Sequence, residues 1–541
     1  MSLLDLPTIR RTSDPPSFID GLLAEQQRLT AVERFARLHE AGEVEEPAHA
    51  KYYRDLLPLT APRPGEQYAF TVDLDACSGC KACVTACHSL NGLDESETFR
   101  DVGGLIGRDR CGLHVLQHVT TACHHCLEPA CLTGCPTLAY DKDPVTGIVR
   151  HLDDQCIGCQ YCVLMCPYEV PKYNAAKGIV RKCDMCRQRL EGGEAPACVQ
   201  ACPNQAIRIE VVSRTEIQQR ANCGEFLPAA PDPRITLPTT RFVSKRQPLL
   251  DVAAAGASHE RPTHAHLPLV VMLVLTQMSV GMFCLAQVLR LLGADVTALV
   301  VAAAAIGLIG QQAAVLHLGR PTIAWRAWLG WRTSWLSREI IAFGAFSAAA
   351  VAYISAIAIY GGRGAYPAWL GLATCISGIA GVYCSAMIYV ATQREYWSAG
   401  RTIPRFLLTA LLLGLGGALA TQAIMTGEPP AKWLVALLIA TAVLRLCRDI
   451  ADFKELAAPE DSLIRRSIDL LTGPLHDWVL AQAVAVLVGG VLLPIVLLGL
   501  ARPPLVFVLL SPALLVVAEL IQRGLFFAAA ASPRMPGVSH T

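Results

Sequence analysis

Sixteen cysteines fall into four tight groups between Cys77 and Cys202, and no other feature constrains this chain so closely. The groups are Cys77, Cys80, Cys83, Cys87; Cys123, Cys126, Cys131, Cys135; Cys156, Cys159, Cys162, Cys166; and Cys183, Cys186, Cys198, Cys202. The first and third follow C-x2-C-x2-C-x3-C, a spacing whose first three thiolates hold one [4Fe–4S] cubane while the fourth reaches a neighbouring one. Four groups of four supply ligands for four such clusters, and a row of clusters conducts single electrons. Zinc sites also use C-x2-C, but as two separated pairs around one tetrahedral ion. A disulfide framework belongs to small secreted chains. Neither fits cysteines at i, i+3 and i+6 with a fourth close behind. A proline follows Cys135, Cys166 and Cys202, whereas His88 follows Cys87.

Composition divides the chain near residue 265. Hydrophobic residues make up 53 % of the 541 and charged residues 17 %, too apolar for a soluble protein and too charged for a membrane protein alone. The clustered cysteines and most of the charge precede the divide. After it come apolar runs at 267–289, 296–316, 340–360, 367–392, 406–425, 433–447, 478–501 and 503–521. A helix needs about 20 apolar residues to cross the hydrocarbon core. Seven runs meet this; the sixth is broken by Arg445 and preceded by Pro429-Pro430. The fold expected is an α+β ferredoxin-like four-cluster domain joined to an all-α bundle of eight transmembrane helices. Its divisions are an N-terminal extension over 1–66, the cluster domain over 67–215, a linker over 216–264, the anchor over 265–531 and a tail over 532–541. The stretch 17–41 has helical periodicity with mixed charge.

Eight spans put both ends of the anchor on one side. Eighteen lysines and arginines beyond residue 240 fall on that side and four on the other. The positive-inside rule then places the cluster domain in the cytoplasm, at the inner membrane. Arg10-Arg11 is followed by Thr12-Ser13-Asp14-Pro15-Pro16 and no apolar stretch, so it is not read as an export signal. Nothing suggests nucleic-acid binding.

Transmembrane haem b would need histidines at membrane depth. The histidines past residue 250 are His259, His264, His266, His317, His476 and His540, none in mid-span, so no haem is expected. Electrons must then pass between the last cluster and a lipid-soluble carrier, and a quinone fits. The segment from His317-Leu318-Gly319-Arg320-Pro321 to Ser337-Arg338-Glu339 carries proton-exchanging groups at the basic face. Ionisable residues at span ends are functional candidates. His317 and Glu339 are the leading ones, with Arg320, Arg338, Arg394 and Glu519 as further candidates near a quinone. For the tryptophans of this segment an interfacial belt is an equal reading.

Two resemblances meet in this chain. Residues 67–212, through Cys123-His124-His125-Cys126, Cys156-Ile157-Gly158-Cys159 and Lys182-Cys183-Asp184-Met185-Cys186, resemble the four-cluster subunit of the molybdopterin oxidoreductases. That group includes dimethyl sulfoxide, polysulfide and nitrate reductases and sulfite dehydrogenase. Residues 265–531 resemble the eight-helix anchor of the dimethyl sulfoxide reductase type, through the HLGRP run at His317, the SWLSRE run at Ser334–Glu339 and Gln393-Arg394-Glu395-Tyr396-Trp397. The resemblance implies four ligand sets: Cys77, Cys80, Cys83 with Cys202; Cys183, Cys186, Cys198 with Cys87; Cys156, Cys159, Cys162 with Cys135; and Cys123, Cys126, Cys131 with Cys166. In nitrate reductases an aromatic residue replaces one third-group cysteine and leaves a three-iron cluster; here Cys159 is present, so four cubanes are expected. It also implies an anchor without haem, quinone at His317 and Glu339, the Cys159 cluster nearest the membrane, and a separate molybdopterin catalytic subunit. Cytoplasmic placement ranks a quinone-linked sulfite dehydrogenase first, a dimethyl sulfoxide or polysulfide reductase running from quinol second, and nitrate or formate chemistry third. Ion pumping ranks low, because the spans hold few ionisable residues.

Overall fold

The structure, a computed structural model, describes residues 18, 19, 21, 50–256, 261–263, 266–360, 365–427, 429–454, 458–459, 462–500 and 502–537. The periodic stretch 17–41 therefore lies almost wholly outside the described residues. The chain divides into two compact units, Met1–Asp55 and Leu56–Thr541. The second holds the cysteine motifs and the apolar helices together.

The cysteine-bearing half is α+β. Strands β1 (Glu66–Asp73), β2 (Asp101–Arg108), β3 (His114–Thr121), β4 (Tyr140–Lys142), β5 (Val149–His151), β6 (Lys172–Asn174), β7 (Ile179–Arg181), β8 (Ile207–Ser213), β9 (Arg241–Val243) and β10 (Leu250–Ala254) form two three-stranded sheets and two hairpins. In one sheet β1 pairs antiparallel with β8, Phe70 opposite Ile209, and parallel with β9. In the other β2 lies between β10 and β3. The hairpins are β4–β5 and β6–β7. Short helices at Ala82–Leu90, Ala130–Gly134, Tyr161–Met165 and Ala197–Gln200 each start within or just before a cysteine group. Such short turns bury little apolar surface, and the cysteines themselves make up much of what is buried here.

The second half is helical: α1 (Leu267–Leu291), α2 (Thr297–Val315), α3 (Trp335–Tyr360), α4 (Ala365–Val390), α5 (Ala399–Thr426), α6 (Lys432–Asp452), α7 (His476–Gly499, with a π turn at Val488–Leu492) and α8 (Leu505–Ala528). Seven of these are long and apolar enough to cross a membrane among the described residues; α6 is not one of them. Its last turns carry Arg445, Arg448, Asp449 and Asp452. The chain is a multi-pass membrane protein. Small residues let the helices approach closely, as lipid-embedded packing requires. A Cβ on Gly281 of α1 would strike the backbone of Ala410 and meet Gly414 in α5. Ser279 donates 2.7 Å to the carbonyl of Ala303 across α1 and α2.

After α8 the chain turns back. Residues 529–533, Met535 and Pro536 are buried. Met535 joins the apolar core of Val72, Leu105, Val119 and Tyr168 in the cysteine-bearing half. Gly537 abuts the backbone of Gly104 in β2. Residues 529–537 thus pack against both halves.

The structure corrects one use made of the basic residues. Arg405, Arg445 and Arg523 count toward the eighteen, yet they are 3 %, 0 % and 0 % exposed. Arg405 pairs with Asp452, and Arg445 with Asp449 and Glu519. Arg523 donates 2.8 Å to Gln277. These charges bind helices to one another and do not flank spans, so they drop out of the charge bias. The same network is why the sixth apolar run is short: its charge is answered from α8. It also places more ionisable groups inside the bundle than the apolar runs suggest.

Candidate redox sites

The loops between paired cysteines turn through left-handed backbone: φ is +74° at Gly79, +70° at Gly158 and +62° at Met185. This conformation wraps the loop and turns amide N–H groups inward. Gly158 N–H points at Cys156 Sγ at 3.4 Å, Met185 N–H at Cys183 Sγ at 3.4 Å, Ala139 N–H at Cys135 Sγ at 3.2 Å and Ala206 N–H at Cys202 Sγ at 3.3 Å. Such donors stabilise thiolate sulfur and tune a bound cluster.

Three cavities gather the cysteines. One is lined by Cys77, Cys80, Cys83 and Cys202. A second is lined by Cys87, Cys183, Cys186 and Cys198. A third is lined by Cys123, Cys126, Cys131 and Cys166. The remaining four also converge: Cys162 lies within electrostatic reach of Cys135, Cys156 and Cys159. The structure thus brings together the cysteines of separate motifs in the combinations that the resemblance implies. Burial pushes the Cys87 thiol up to about 12, with Cys198 beside it adding to the shift, and raises Cys126, Cys159 and Cys162 as well. Cys156 shifts the other way: its burial is outweighed by the His151 side chain and by backbone amides, which lower it. Thiols so buried stay protonated unless a metal takes the proton's place, and coordination deprotonates them outright. Among the described residues no three His, Cys, Asp or Glu side chains close on one point as a single ion requires. Three of the four sets line the wall of a cavity, an arrangement that suits a cubane taking each thiolate on a different iron.

The fourth set sits on the membrane half. Gly158 and Gly178 press backbone to backbone against Gly319 of the HLGRP run. Arg320 N–H donates 3.0 Å to the Ile157 carbonyl, and its Nη1 donates 2.9 Å to that of Asp153. Gly330 N–H donates 2.8 Å to the Pro136 carbonyl, and Ser334 Oγ donates 2.7 Å to that of Gly134. Tyr161 reaches across to donate 3.0 Å to Ile388 in α4.

Beneath this seam lies a cavity of about 270 Å³. His317 and Glu339 both line it, together with Cys159 and Tyr161 from the cluster side and Tyr389 from α4. Glu339 is buried and accepts a hydrogen bond from Ser385 of α4. His317, just past the end of α2, is held below its ordinary pKa chiefly by burial, with His266 nearby adding to the effect. Apolar walls with a few convergent polar groups are the general form of a small-molecule site.

The other candidates lie elsewhere. Arg320 fastens the cluster loop. Arg338 donates to the carbonyls of Trp331 (3.1 Å) and Arg332 (2.7 Å) and stacks on Trp335 at 4.4 Å. Arg394 is buried over Trp397 at 5.0 Å, and desolvation lowers its pKa to about 10. Glu519 accepts from Thr409 at 2.6 Å and from Arg445 Nε at 3.2 Å. None of these four lines the cavity. Tyr161, Ser385 and Tyr389 escape sequence reading: each is an ordinary residue within its element, placed by packing across the seam. Gln311, also on the wall and hydrogen-bonded to Ser347 (2.8 Å), carries a signal as an amide inside an apolar run.

Comparison with known proteins agrees with this geometry. Residues 115–212 match the family model for a 4Fe-4S dicluster domain, and residues 262–529 match that for the DMSO reductase anchor subunit (DmsC). The B subunit of the anaerobic dimethyl sulfoxide reductase of Haemophilus influenzae is 39 % identical over 150 residues, covering 26 % of this chain and 73 % of that protein. YnfG of Escherichia coli, a probable anaerobic dimethyl sulfoxide reductase subunit, is 36 % identical over 186 residues, 33 % of this chain and 88 % of that one. The thiosulfate reductase electron transfer subunit PhsB of Salmonella typhi is 38 % identical over 157 residues, 28 % and 80 % respectively. The chain therefore belongs to the family of iron–sulfur electron-transfer subunits typified by the B subunit of dimethyl sulfoxide reductase, joined here to an anchor domain of the same reductase type.

Proposed function

We propose that this electron-transfer subunit carries electrons between a separate molybdopterin catalytic subunit and membrane quinone, along four [4Fe–4S] clusters. Their ligands are the four cysteine sets gathered above. When bound, the clusters supply one-electron carriers, so two successive electrons serve each quinone/quinol conversion. The order along the wire runs from the Cys77 set through the Cys87 and Cys123 sets to the Cys159 set. One observation carries the quinone assignment: a single cavity beneath the seam is walled by Cys159, His317 and Glu339 at once. His317, half-buried beside the seam, is placed to exchange a proton with quinone; Glu339, oriented by Ser385, is placed to hydrogen-bond a quinol hydroxyl. The apolar walls, Leu269, Phe343 and Ile388 among them, exclude water and admit a lipid-soluble ring. The bundle reads as eight spans with α6 as the eighth, its Arg445 and Asp452 shielded inside, no haem, and the cluster domain at the cytoplasmic face of the inner membrane.

For the catalytic partner, the names of the relatives favour a reductase of dimethyl sulfoxide or a related sulfur compound, fed by quinol, over a sulfite dehydrogenase. The test of the quinone site is His317→Ala and Glu339→Gln in membranes containing the whole complex. Cluster content and dye-linked turnover stay at wild-type levels. Quinone-linked turnover and binding of a fluorescent quinone-analogue inhibitor fall at least tenfold. Wild-type inhibitor affinity in both variants would place the site elsewhere.

A further inference from the structure

The junctions between neighbouring cysteine cavities differ in charge. Arg100 is 2 % exposed and stands on the wall of the Cys87–Cys183–Cys186–Cys198 cavity, stacked 4.7 Å over Phe70. Its Nη1 donates 3.1 Å to Thr120 Oγ1, which lies 3.5 Å from Cys83 Sγ on the wall of the first cavity. Its Nε and Nη2 are buried without a partner among the described residues. Lys182, 5 % exposed, lines the Cys123–Cys126–Cys131–Cys166 cavity with Nζ 3.6 Å from Cys123 Sγ. The same ammonium donates 2.7 Å to the carbonyl of Cys183, whose thiol lines the second cavity, and to the carbonyl of Val149. At the third junction stands a neutral phenol: Tyr140 packs among Cys131 of the third set and Cys135, Cys156 and Cys162 of the fourth.

A cation taken out of water is costly unless fixed negative charge answers it. Among the described residues the ionisable groups facing Arg100 and Lys182 are thiols, not carboxylates. A cubane with four thiolates is net negative and gains a further negative charge with each electron. A fixed cation at its edge favours the reduced form, and net charge is one of the levers that set cluster potentials. We propose that Arg100 and Lys182 set the reduction potentials of the clusters on either side of them, Arg100 for the first and second, Lys182 for the second and third. The second cluster feels both cations; the fourth, beside Tyr140, feels neither. This inference rests on the cluster assignment above.

The test is a redox titration followed by electron paramagnetic resonance on the full complex, with Arg100→Gln, Lys182→Met and the charge-keeping Arg100→Lys and Lys182→Arg. Iron content and cluster signals of the wild type check the assignment itself, so its failure is distinct from failure of the tuning role. With clusters present, Arg100→Gln lowers two midpoints and Lys182→Met lowers two, one of them common to both. Each shift is at least a tenfold change in the reduced-to-oxidised ratio, about 59 mV for one electron. The charge-keeping variants restore most of it. A merely structural role would leave all four midpoints in place, and that result overturns the proposal. Loss of iron from both neutral variants, with full iron in both charge-keeping ones, would assign the cations to assembly and overturn it equally.

Discussion

Gly319→Ala probes the seam that sets the cluster domain on the membrane bundle. A Cβ at residue 319 would stand 2.6 Å from the carbonyl carbon of Gly178 and 2.7 Å from its Cα. The Gly178 carbonyl oxygen lies closer still, and ordinary contact begins at 3.4 Å, so the two backbones must part by more than about 0.8 Å, an overpacking of the kind that costs about 1–3 kcal/mol. Neither side of the contact is a flexible side chain that can swing away, which puts the expected cost near 3 kcal/mol. At 1.4 kcal/mol per decade, the ratio of closed to open seam falls about a hundredfold. The opening is read in the amides that bridge it, Arg320 N–H to Ile157 and Gly330 N–H to Pro136. In hydrogen-exchange measurements on the complex, peptides covering 317–334 exchange about a hundredfold faster, because local opening governs their exchange. Peptides from β1 and β8, away from the seam, keep wild-type protection. Gly400→Ala, where a Cβ meets nothing within 4 Å, is the control. Wild-type exchange across 317–334 in Gly319→Ala would refute the claim that the seam is closed backbone to backbone.

Four further outcomes can be measured. The purified chain, reconstituted without oxygen, binds sixteen irons, one cubane for each set of four cysteines; a count near four, or stoichiometric zinc, refutes the ligand sets. Cys159→Ser converts one cluster to a three-iron form with a changed resonance spectrum and cuts quinone-linked turnover at least tenfold while dye-linked turnover survives; unchanged quinone turnover with an altered cluster refutes the order of the wire. Ser334→Ala leaves the buried Gly134 carbonyl without its 2.7 Å partner and destabilises the docked domain by about 1–3 kcal/mol, read as faster exchange at 130–137. For sidedness, a reporter active only in the periplasm, fused after Thr541, stays silent; activity there reverses the orientation.

What sequence reading reaches is what is encoded locally. The cysteine spacing and the left-handed glycines within it are properties of ten or so consecutive residues, so the cluster motifs stand out. The apolar runs give the helices for the same reason. His317 and Glu339 were legible as polar residues at the ends of apolar runs, and the structure brings both to one cavity. The contacts that make that cavity a meeting point were not. Gly319 stands in the HLGRP run, but that run does not tell its role, which is to present no side chain to Gly178. Tyr161 lies between two cysteines and is placed against Ile388 only by docking. Arg445 interrupts its run and looks like a topology signal until Glu519, from α8, is seen opposite it. Arg320 and Arg338, read as quinone candidates, spend their donors on backbone carbonyls. Charge alone does not reveal whether a guanidinium faces a ligand, a lipid or a loop.

The carboxyl-terminal strap bears on the order in which the protein is made. Met535 completes a core whose other members, Val72, Leu105 and Val119, leave the ribosome first, and Gly537 closes on Gly104 only after every membrane helix has been threaded. Contacts between such distant stretches of chain form late in folding. One place in the core that holds Cys126 and Cys166 is therefore filled only after the last helix has been made.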